Sequence, residues 1–594
     1  RLQQACDAAA LAGRRAMTTG SMTQSNIDEA RKFFDFNFKQ GTFQTAAFTP
    51  TIQSKPGDTT TVQVSATTTI PTTIMRIFGY QNMELAVACE SRFDIGNTDV
   101  MLVLDTTGSM DSSISDGAGG TTTRIAALQQ AVKDFYDTLG AGNNSTGRIR
   151  YGFVPYSSTV NTGYLIPTQY LVGGTAGDTW GYNSRTAGYY WETGSSDSTC
   201  YKRYGNNTCY ASSSAANSGS GTNTYESTCI SWGNSSSSSS GSAPSNTTRT
   251  IYNYDSWNGD TSSNPSGSGT KKCVRKEVTT TTTYATSTTP GPDRTRYTNW
   301  SYTNVDLDTT GFITGSAVQN PAYEWGTNTT WAGCIEEAQT VNTITTSTSI
   351  NSIPAGAYDL DPDLIPDTTA KKWKPFWPDA SWMRGSTPAS SPTWSSWPNS
   401  DYAVCVQRAR HLATYTARTA RPSENYGTVD STLSTYDDYV ASLSAGGFTN
   451  HTIGIVWGAR MLSPNGIFAS KNGTAPNGFA TSKNIIFMTD GQMMVPNNNY
   501  DAWGINALNG RVASTGTSNN DLRDIQETRF KIACEAAKKK GITIWIVVFA
   551  SATNAALDSC ATSADHVAVS SDASSLSNDF KDIAKNIGGL RLSQ

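Results

Sequence analysis

The sequence predicts an α/β fold: a doubly wound sheet with a large Ser/Thr/Gly/aromatic-rich insertion, preceded by a helix and a small β stem. Three observations predict it. Apolar runs at 100–104 and 485–488 lead into the carboxylates Asp105 and Asp490, as buried strands do where they open into a loop. These and later runs alternate with stretches of helical apolar spacing, the signature of an α/β sheet. Between 157 and 431 that alternation stops and then resumes, so one domain is split by an insert. The chain therefore divides into a stem at 1–95, an α/β domain in two parts at 96–156 and 432–594, and an insertion at 157–431.

Each element follows from its residues. Residues 1–19 read as an alanine-rich helix with Leu2, Ala5, Ala9, Ala12 and Ala16 near one face. A second helix is expected over 26–39, with Asp28 and Glu29 in its first turn, where the helix dipole favours acids. From 45 to 93 the pattern turns to strands: 60–67 alternates, and 83–90 follows a turn near Gly79. The first part of the α/β domain gives a strand at 100–104, a helix at 124–139 and a strand at 148–156. After the insertion come helices near Tyr436 and over 453–462, the strand at 485, and a helix at 522–540. Strands at 542–549 and 566–569 and a last helix at 574–587 complete the domain. The start of the insertion, with its serine run 235–240, has a composition that alone would read as disorder. Its rings Trp180, Tyr189, Tyr190, Trp191, Trp232, Tyr252, Trp257, Trp300 and Trp331, together with four cysteines, favour an ordered, strand-rich, disulfide-pinned subdomain.

Composition narrows the function. Charged residues are only 15% of 594, so the polarity comes from Ser, Thr, Asn and Gly, as suits an extracellular or periplasmic surface protein. A formal charge of -4 implies no broad basic face and argues against nucleic acid as a partner. The cluster Lys271, Lys272, Arg275 and Lys276 reads as a solvated stretch beside Cys273. The 10 cysteines lack any Cys-x-x-Cys spacing, which leaves zinc and thioredoxin-type sites without support. Disulfides in an oxidising compartment are the economical reading, with buried free thiols as the alternative. Spacing does not fix connectivity. The expected pairs are Cys6 with Cys89, Cys334 with Cys405 and Cys534 with Cys560, leaving Cys200, Cys209, Cys229 and Cys273 to staple the insertion. No stretch approaches the roughly 20 apolar residues of a membrane helix. The first residues read as the middle of a helix without a cap or initiator Met, so an upstream segment, cleaved or absent here, is expected and would be the link to a membrane.

The chemistry concentrates after the first strand. In Asp105-Thr106-Thr107-Gly108-Ser109, a carboxylate and two hydroxyls at alternate positions can converge at a strand end. Such an all-oxygen set suits a hard divalent cation, Mg²⁺ or else Mn²⁺ or Ca²⁺; an Asx-type turn is the bland alternative. The segment resembles the Asp-x-Ser-x-Ser motif of the metal-ion-dependent adhesion site (MIDAS) of von Willebrand factor A domains, with Thr107 in place of the first serine. Two further segments are similar to that family in the same order: Gly446-Gly447-Phe448-Thr449-Asn450-His451-Thr452-Ile453-Gly454, a glycine-rich loop opening a helix, and the strand end Thr489-Asp490-Gly491. The resemblance implies a Rossmann-like sheet and adds Thr449 and Asp490 to the metal set.

Other segments resemble TadG-like, Flp-type pilus assembly proteins. They are the alanine-rich start from Leu2, Val154-Pro155-Tyr156-Ser157 with Val160-Asn161, Trp331-Ala-Gly-Cys334-Ile-Glu-Glu337, Gly454-Ile-Val-Trp457-Gly458-Ala-Arg460, and the closing Leu590-Arg591-Leu592. That resemblance implies a pilin-like stem, a location outside the cytoplasm, and a part in pilus assembly or tip adhesion. Its partner would be a protein ligand or pilus subunit offering an acidic group to the metal.

Rival readings rest on other residues. Asp359, Asp361 and Asp363, followed by Asp367, alternate as calcium ligands can, but lack the glycine and glutamate of an EF-hand; solvated loop acids are the competing reading. The aromatic insertion could stack on a surface glycan, or the chain could be a structural filament subunit whose metal only stabilises it. An enzyme is not expected. His411, His451 and His566 are scattered, no hydrolase, nucleotide or dinucleotide signature occurs, and His451 reads as loop-capping or partner-facing.

Overall fold

The computed structural model describes residues 1–594 except 18–21, 57, 93–96, 142–146, 219–221, 259–271, 290, 297–300, 324–325, 384–396, 399–402, 423–434, 474, 476–479, 589–590 and 594. Trp300 and Lys271, singled out from the sequence, lie outside the described residues. The architecture is mixed α/β with a central six-stranded sheet. Among the described residues no helix is long and apolar enough to cross a membrane.

The stem packs helices Leu2–Ala16 and Gln24–Asn37 on an antiparallel sheet. Alanine gives the first helix its propensity and lets it sit close to the sheet: Ala5, Ala9 and Ala10 are buried against Val62 and Val64. A disulfide between Cys6 and Cys89 ties that helix to strand Asn82–Arg92. The strand order is Thr51–Lys55, Asp58–Pro71, Asn82–Arg92 and then Arg591–Ser593. The last of these corrects the sequence boundary, which left everything up to 594 in the α/β domain. The final segment instead crosses back and pairs antiparallel with Asn82–Arg92.

The central sheet runs Arg410–Ala413, Ile149–Tyr156, Asn97–Asp105, Thr481–Thr489, Ile542–Phe549 and Val567–Ser570. The first strand is antiparallel to its neighbour and the other five are parallel. Both faces are covered, which is why the strands are continuous apolar runs. Alternate residues feed two cores. Met101, Val103, Ile485 and Phe487 face helices His451–Leu462 and Asn519–Lys538. Val100, Leu102, Ile486 and Met488 face helices Arg124–Leu139 and Ala573–Gly588. All 12 residues of His451–Leu462 are buried, because the insertion covers its outer side. That helix lies so close to the sheet that a Cβ on Gly458 would meet Val103 at 2.6 Å.

The insertion is built into the α/β domain that it interrupts. Its strand Arg410–Ala413 forms one edge of the central sheet, and Trp331, Ile335, Trp373 and Trp377 join the core of the adjoining face. Glu337 anchors this half: its carboxylate accepts from Trp457 Nε1 at 2.6 Å, Arg460 Nη1 at 2.7 Å and Trp373 Nε1 at 3.2 Å. The other half is a sheet of long strands, Tyr189–Arg203, Lys272–Ser287 and Thr247–Asn258, edged by the serine strand Ser238–Ser240. Disulfides Cys200–Cys209 and Cys229–Cys273 pin it. Arg275 is not solvated here; its guanidinium lies 4.2 Å from the ring centroids of both Trp232 and Tyr252. The remaining cysteines pair as Cys334–Cys405 and Cys534–Cys560. Five disulfides fit an oxidising compartment.

Candidate metal centre

Sheet order places the site. Strand Asn97–Asp105 is flanked by Ile149–Tyr156 on one side and Thr481–Thr489 on the other, so the winding reverses at this strand. Open α/β sheets bind ligands at the carboxyl ends of strands at such a switch point. Asp105 closes one of these strands and Asp490 directly follows the other. Chain connectivity thus brings the two carboxylates into one crevice.

Hydrogen bonds join four of the five sequence-predicted residues. Thr107 N donates to Asp105 Oδ1 at 2.9 Å, the Thr107 and Ser109 hydroxyls are 3.0 Å apart, and Ser109 Oγ donates to Asp490 Oδ1 at 2.7 Å. Thr449 arrives through its loop. Gly108 N donates to the Gly447 carbonyl at 3.0 Å, and Gly446 N donates to that of Thr106 at 2.8 Å. Gly447 has a φ of 78°, and a Cβ there would meet Ser157 Oγ at 3.0 Å, so this approach requires glycine. Among the described residues the Thr449 hydroxyl makes no hydrogen bond to the other four, which leaves its lone pairs open.

Four residues of the site escaped the sequence reading. Thr489 Oγ1 donates to Asp105 Oδ2 at 2.8 Å, and Tyr156 OH lies 3.4 Å from the same oxygen. Arg124 Nη1 donates to Asp490 Oδ2 at 2.9 Å from the first turn of its helix. His451 Nε2 sits 3.0 Å from Thr489 Oγ1. His451 is buried, with its ring among Tyr156, Phe487 and Phe530, so it does not face a partner. Burial holds its imidazole neutral, down at about 3. Thr489 had a signal in its place beside Asp490 and His451 in its place beside the Thr449 loop; Arg124 and Tyr156, reaching across the crevice, leave no spacing to read.

The electrostatics favour a cation. Burial, then the charge of Asp490, raises the Asp105 carboxyl to about 6. Asp105 has at least one lone-pair site beyond the three hydrogen bonds it accepts, and the remaining oxygens are the Asp490 carboxylate and three neutral hydroxyls. This set fits Mg²⁺ or another hard cation and offers nothing for a soft metal. Among the described residues no three His, Cys, Asp or Glu side chains gather around one point.

That finding overturns the calcium reading of Asp359, Asp361 and Asp363. Asp359 is fully buried and paired with Arg529, and it accepts from Trp503 Nε1 at 2.8 Å. Asp363 pairs with Lys540, while Asp361 Oδ1 accepts from Asp363 N at 2.9 Å. The carboxylates diverge to protein cations, and Asp359 is no solvated loop acid either. His411 is buried against Phe468 and has no part in the site.

No protein-family model matches the chain, and no curated protein matches it. Two solved structures of the pilus adhesin SpaC from Lactobacillus rhamnosus GG align with 91% of the chain at 10% and 9% identity, with TM-scores of 0.29 and 0.28. The chain spans only about a third of those adhesin chains, 34% and 33%. Proximal thread matrix protein 1 from the mussel byssus, in a structure described as having a zinc-occupied MIDAS motif, aligns with 29% of this chain and 33% of its own. Its identity is 16% and its TM-score 0.16. Likenesses this weak decide nothing about function, which has to be read from the chain's own residues.

Proposed function

We propose that this chain is a non-enzymatic extracytoplasmic binding protein whose Asp105, Thr107, Ser109, Thr449 and Asp490 hold a divalent cation, Mg²⁺ by preference, in the manner of a von Willebrand A MIDAS. The observation that carries this reading is the Ser109–Asp490 hydrogen bond at 2.7 Å, which unites segments 381 residues apart around two carboxylates. When bound, the cation supplies an electrophilic position for an anionic oxygen of a partner protein. The chain's own residues set the charge of that position. Two carboxylates and the Arg124 guanidinium leave the site one negative charge, so it stays short of neutralising a divalent ion and keeps an appetite for a further anion. Thr489 and Tyr156 hold Asp105 from behind, and the Gly446–Gly447 turn presents Thr449. The sequence resemblance to TadG-like proteins supports a setting in Tad/Flp pilus assembly or tip adhesion, and the disulfides support an oxidising compartment.

Calorimetric titration of the chelator-treated protein with Mg²⁺ and Mn²⁺ tests the reading. One site is expected in the native chain and none in Asp105→Ala, with adhesion of pilus-bearing cells lost in parallel. A native chain that takes up no divalent ion refutes the metal site. Adhesion that persists in Asp105→Ala or in chelator removes the metal from the binding step.

A further inference from the structure

The far end of the stem carries a cluster of apolar side chains left open to solvent. Strands Asp58–Pro71 and Asn82–Arg92 are joined by a turn containing the short helix Met75–Phe78. Ile74, Met75, Ile77, Phe78 and Tyr80 are all exposed there, Ile77 to 83% and Phe78 to 71%. The neighbouring turn reaches the same end, since Ala46 N donates to the Thr69 carbonyl at 3.0 Å, and it adds exposed Phe43. Proteins rarely leave so many large apolar side chains together in water without a use for them.

Three features identify the occupant. First, five large apolar side chains fall within one turn and stay 49–83% exposed, so a fluid medium can wet them without a matching pocket. Second, the turn pairs several of its own backbone N–H groups. Ile77 N donates to Ile74 at 3.2 Å, Gly79 N to Arg76 at 3.1 Å, Tyr80 N to Met75 at 3.1 Å and Thr72 N to Gln81 at 3.0 Å. The Thr72 hydroxyl donates to the Tyr80 carbonyl. Internal pairing of this kind lowers the cost of bringing a segment to the edge of a hydrocarbon layer. Third, cations outnumber acids at this end. Between Asp58 and Glu84 the sequence has no acidic residue and one cation, Arg76. Arg1 lies over the Phe43 ring at 5.9 Å, and Lys39 belongs to the same turn. Asp35, one turn earlier in the second helix, and exposed Glu84, across the strand pair from Thr69, are the opposing charges, two against the three cations Arg76, Arg1 and Lys39.

We propose that this end of the stem inserts into an anionic lipid surface, with the Ile74–Tyr80 turn entering the acyl boundary and Arg76, Arg1 and Lys39 meeting headgroups. Aromatic and aliphatic side chains flanked by cations are the composition of interfacial anchors. The assignment is independent of the metal site.

Flotation of the full chain with vesicles of phosphatidylcholine, alone or mixed with phosphatidylglycerol, tests it. The native chain should float with the mixed vesicles. The Ile77→Asp/Phe78→Asp double variant should partition about tenfold less or weaker still, because each change removes one large buried apolar side chain. Arg76→Glu should lose the preference for anionic over neutral vesicles. Both variants alter exposed residues, so their thermal unfolding should match that of the native chain. A native chain that stays with the aqueous phase, or a double variant that floats equally well, overturns the proposal. So does a dimer in sedimentation equilibrium that the double variant abolishes in the absence of lipid binding; that result would assign the turn to a second copy of the chain.

Discussion

Ser109 Oγ lies 2.7 Å from Asp490 Oδ1 and clasps the loop of one central strand to the end of its neighbour. Removing the hydroxyl deletes an oxygen ligand and that clasp together. Ser109→Ala should weaken divalent-ion binding by about tenfold, the scale of one hydrogen-bonding group. Calorimetry with Mn²⁺ measures it. An unchanged affinity would make Ser109 a loop fastener only.

Arg124 already occupies Asp490 Oδ2 at 2.9 Å and competes there as a tethered counter-charge. Arg124→Gln should therefore tighten divalent-ion binding in the absence of any partner, by about tenfold or ~1.4 kcal/mol for a partly exposed pair. The same variant should bind an acidic partner less well, because the loaded site has lost a positive charge. Weaker metal binding in Arg124→Gln would show that the guanidinium instead positions Asp490.

Glu337 is fully buried, and its three partners come from the insertion and from the helix beneath it. Truncation leaves Arg460 charged and unpaired in the core. Glu337→Ala should cost about 3–5 kcal/mol in urea unfolding. Limited proteolysis should release cuts near 331–382 first. A loss below about 1 kcal/mol would contradict so complete a burial of the pair.

Burial lowers the His411 imidazole from 6.5 to about 3 in the folded chain. The unfolded chain binds that proton between these pH values and the folded chain does not, so stability falls as pH drops below 6.5. His451 acts in the same direction, also held at about 3. Asp105 acts oppositely: its carboxyl is raised from 3.8 to about 6, so the metal-free fold gains from protonation within that window. Asp501, raised by burial from 3.8 to about 7, opposes the histidines too. In metal-free denaturation curves below pH 6.5, the stability of His411→Phe should therefore fall less steeply on acidification than that of the native chain, by up to about 1.4 kcal/mol per pH unit. An unchanged slope would assign the loss to other groups.

Periodicity disclosed the strands of the central sheet because both faces are covered, which makes each strand an unbroken apolar run. It also disclosed Asp105, Thr107 and Ser109, which share one turn. Thr449 and Asp490 came only from resemblance, since no local pattern connects a loop to a strand end far along the chain. Arg124 and Tyr156 stayed hidden because they join the site through the crevice, and His451, noticed beside the loop, was given a surface role because its burial among Tyr156, Phe487 and Phe530 leaves no local pattern. The edge strand Arg410–Ala413 was lost for another reason: it lies within a stretch of turns and is only four residues long, too short for a pattern of two to register. Asp359 was misread for want of Arg529, 170 residues away, which neutralises it.

Only residues 93–96 separate the stem strand Asn82–Arg92 from the strand that ends in Asp105. A load applied at the metal therefore travels along one covalent line through the middle of the sheet into the stem. Parallel ladders on both sides, from Thr98↔Ile149 to Asp105↔Tyr156 and from Asn97↔Thr481 to Leu104↔Met488, resist such a pull in shear, all rungs at once. A tether wired in this way yields by sliding many bonds together instead of unzipping them singly.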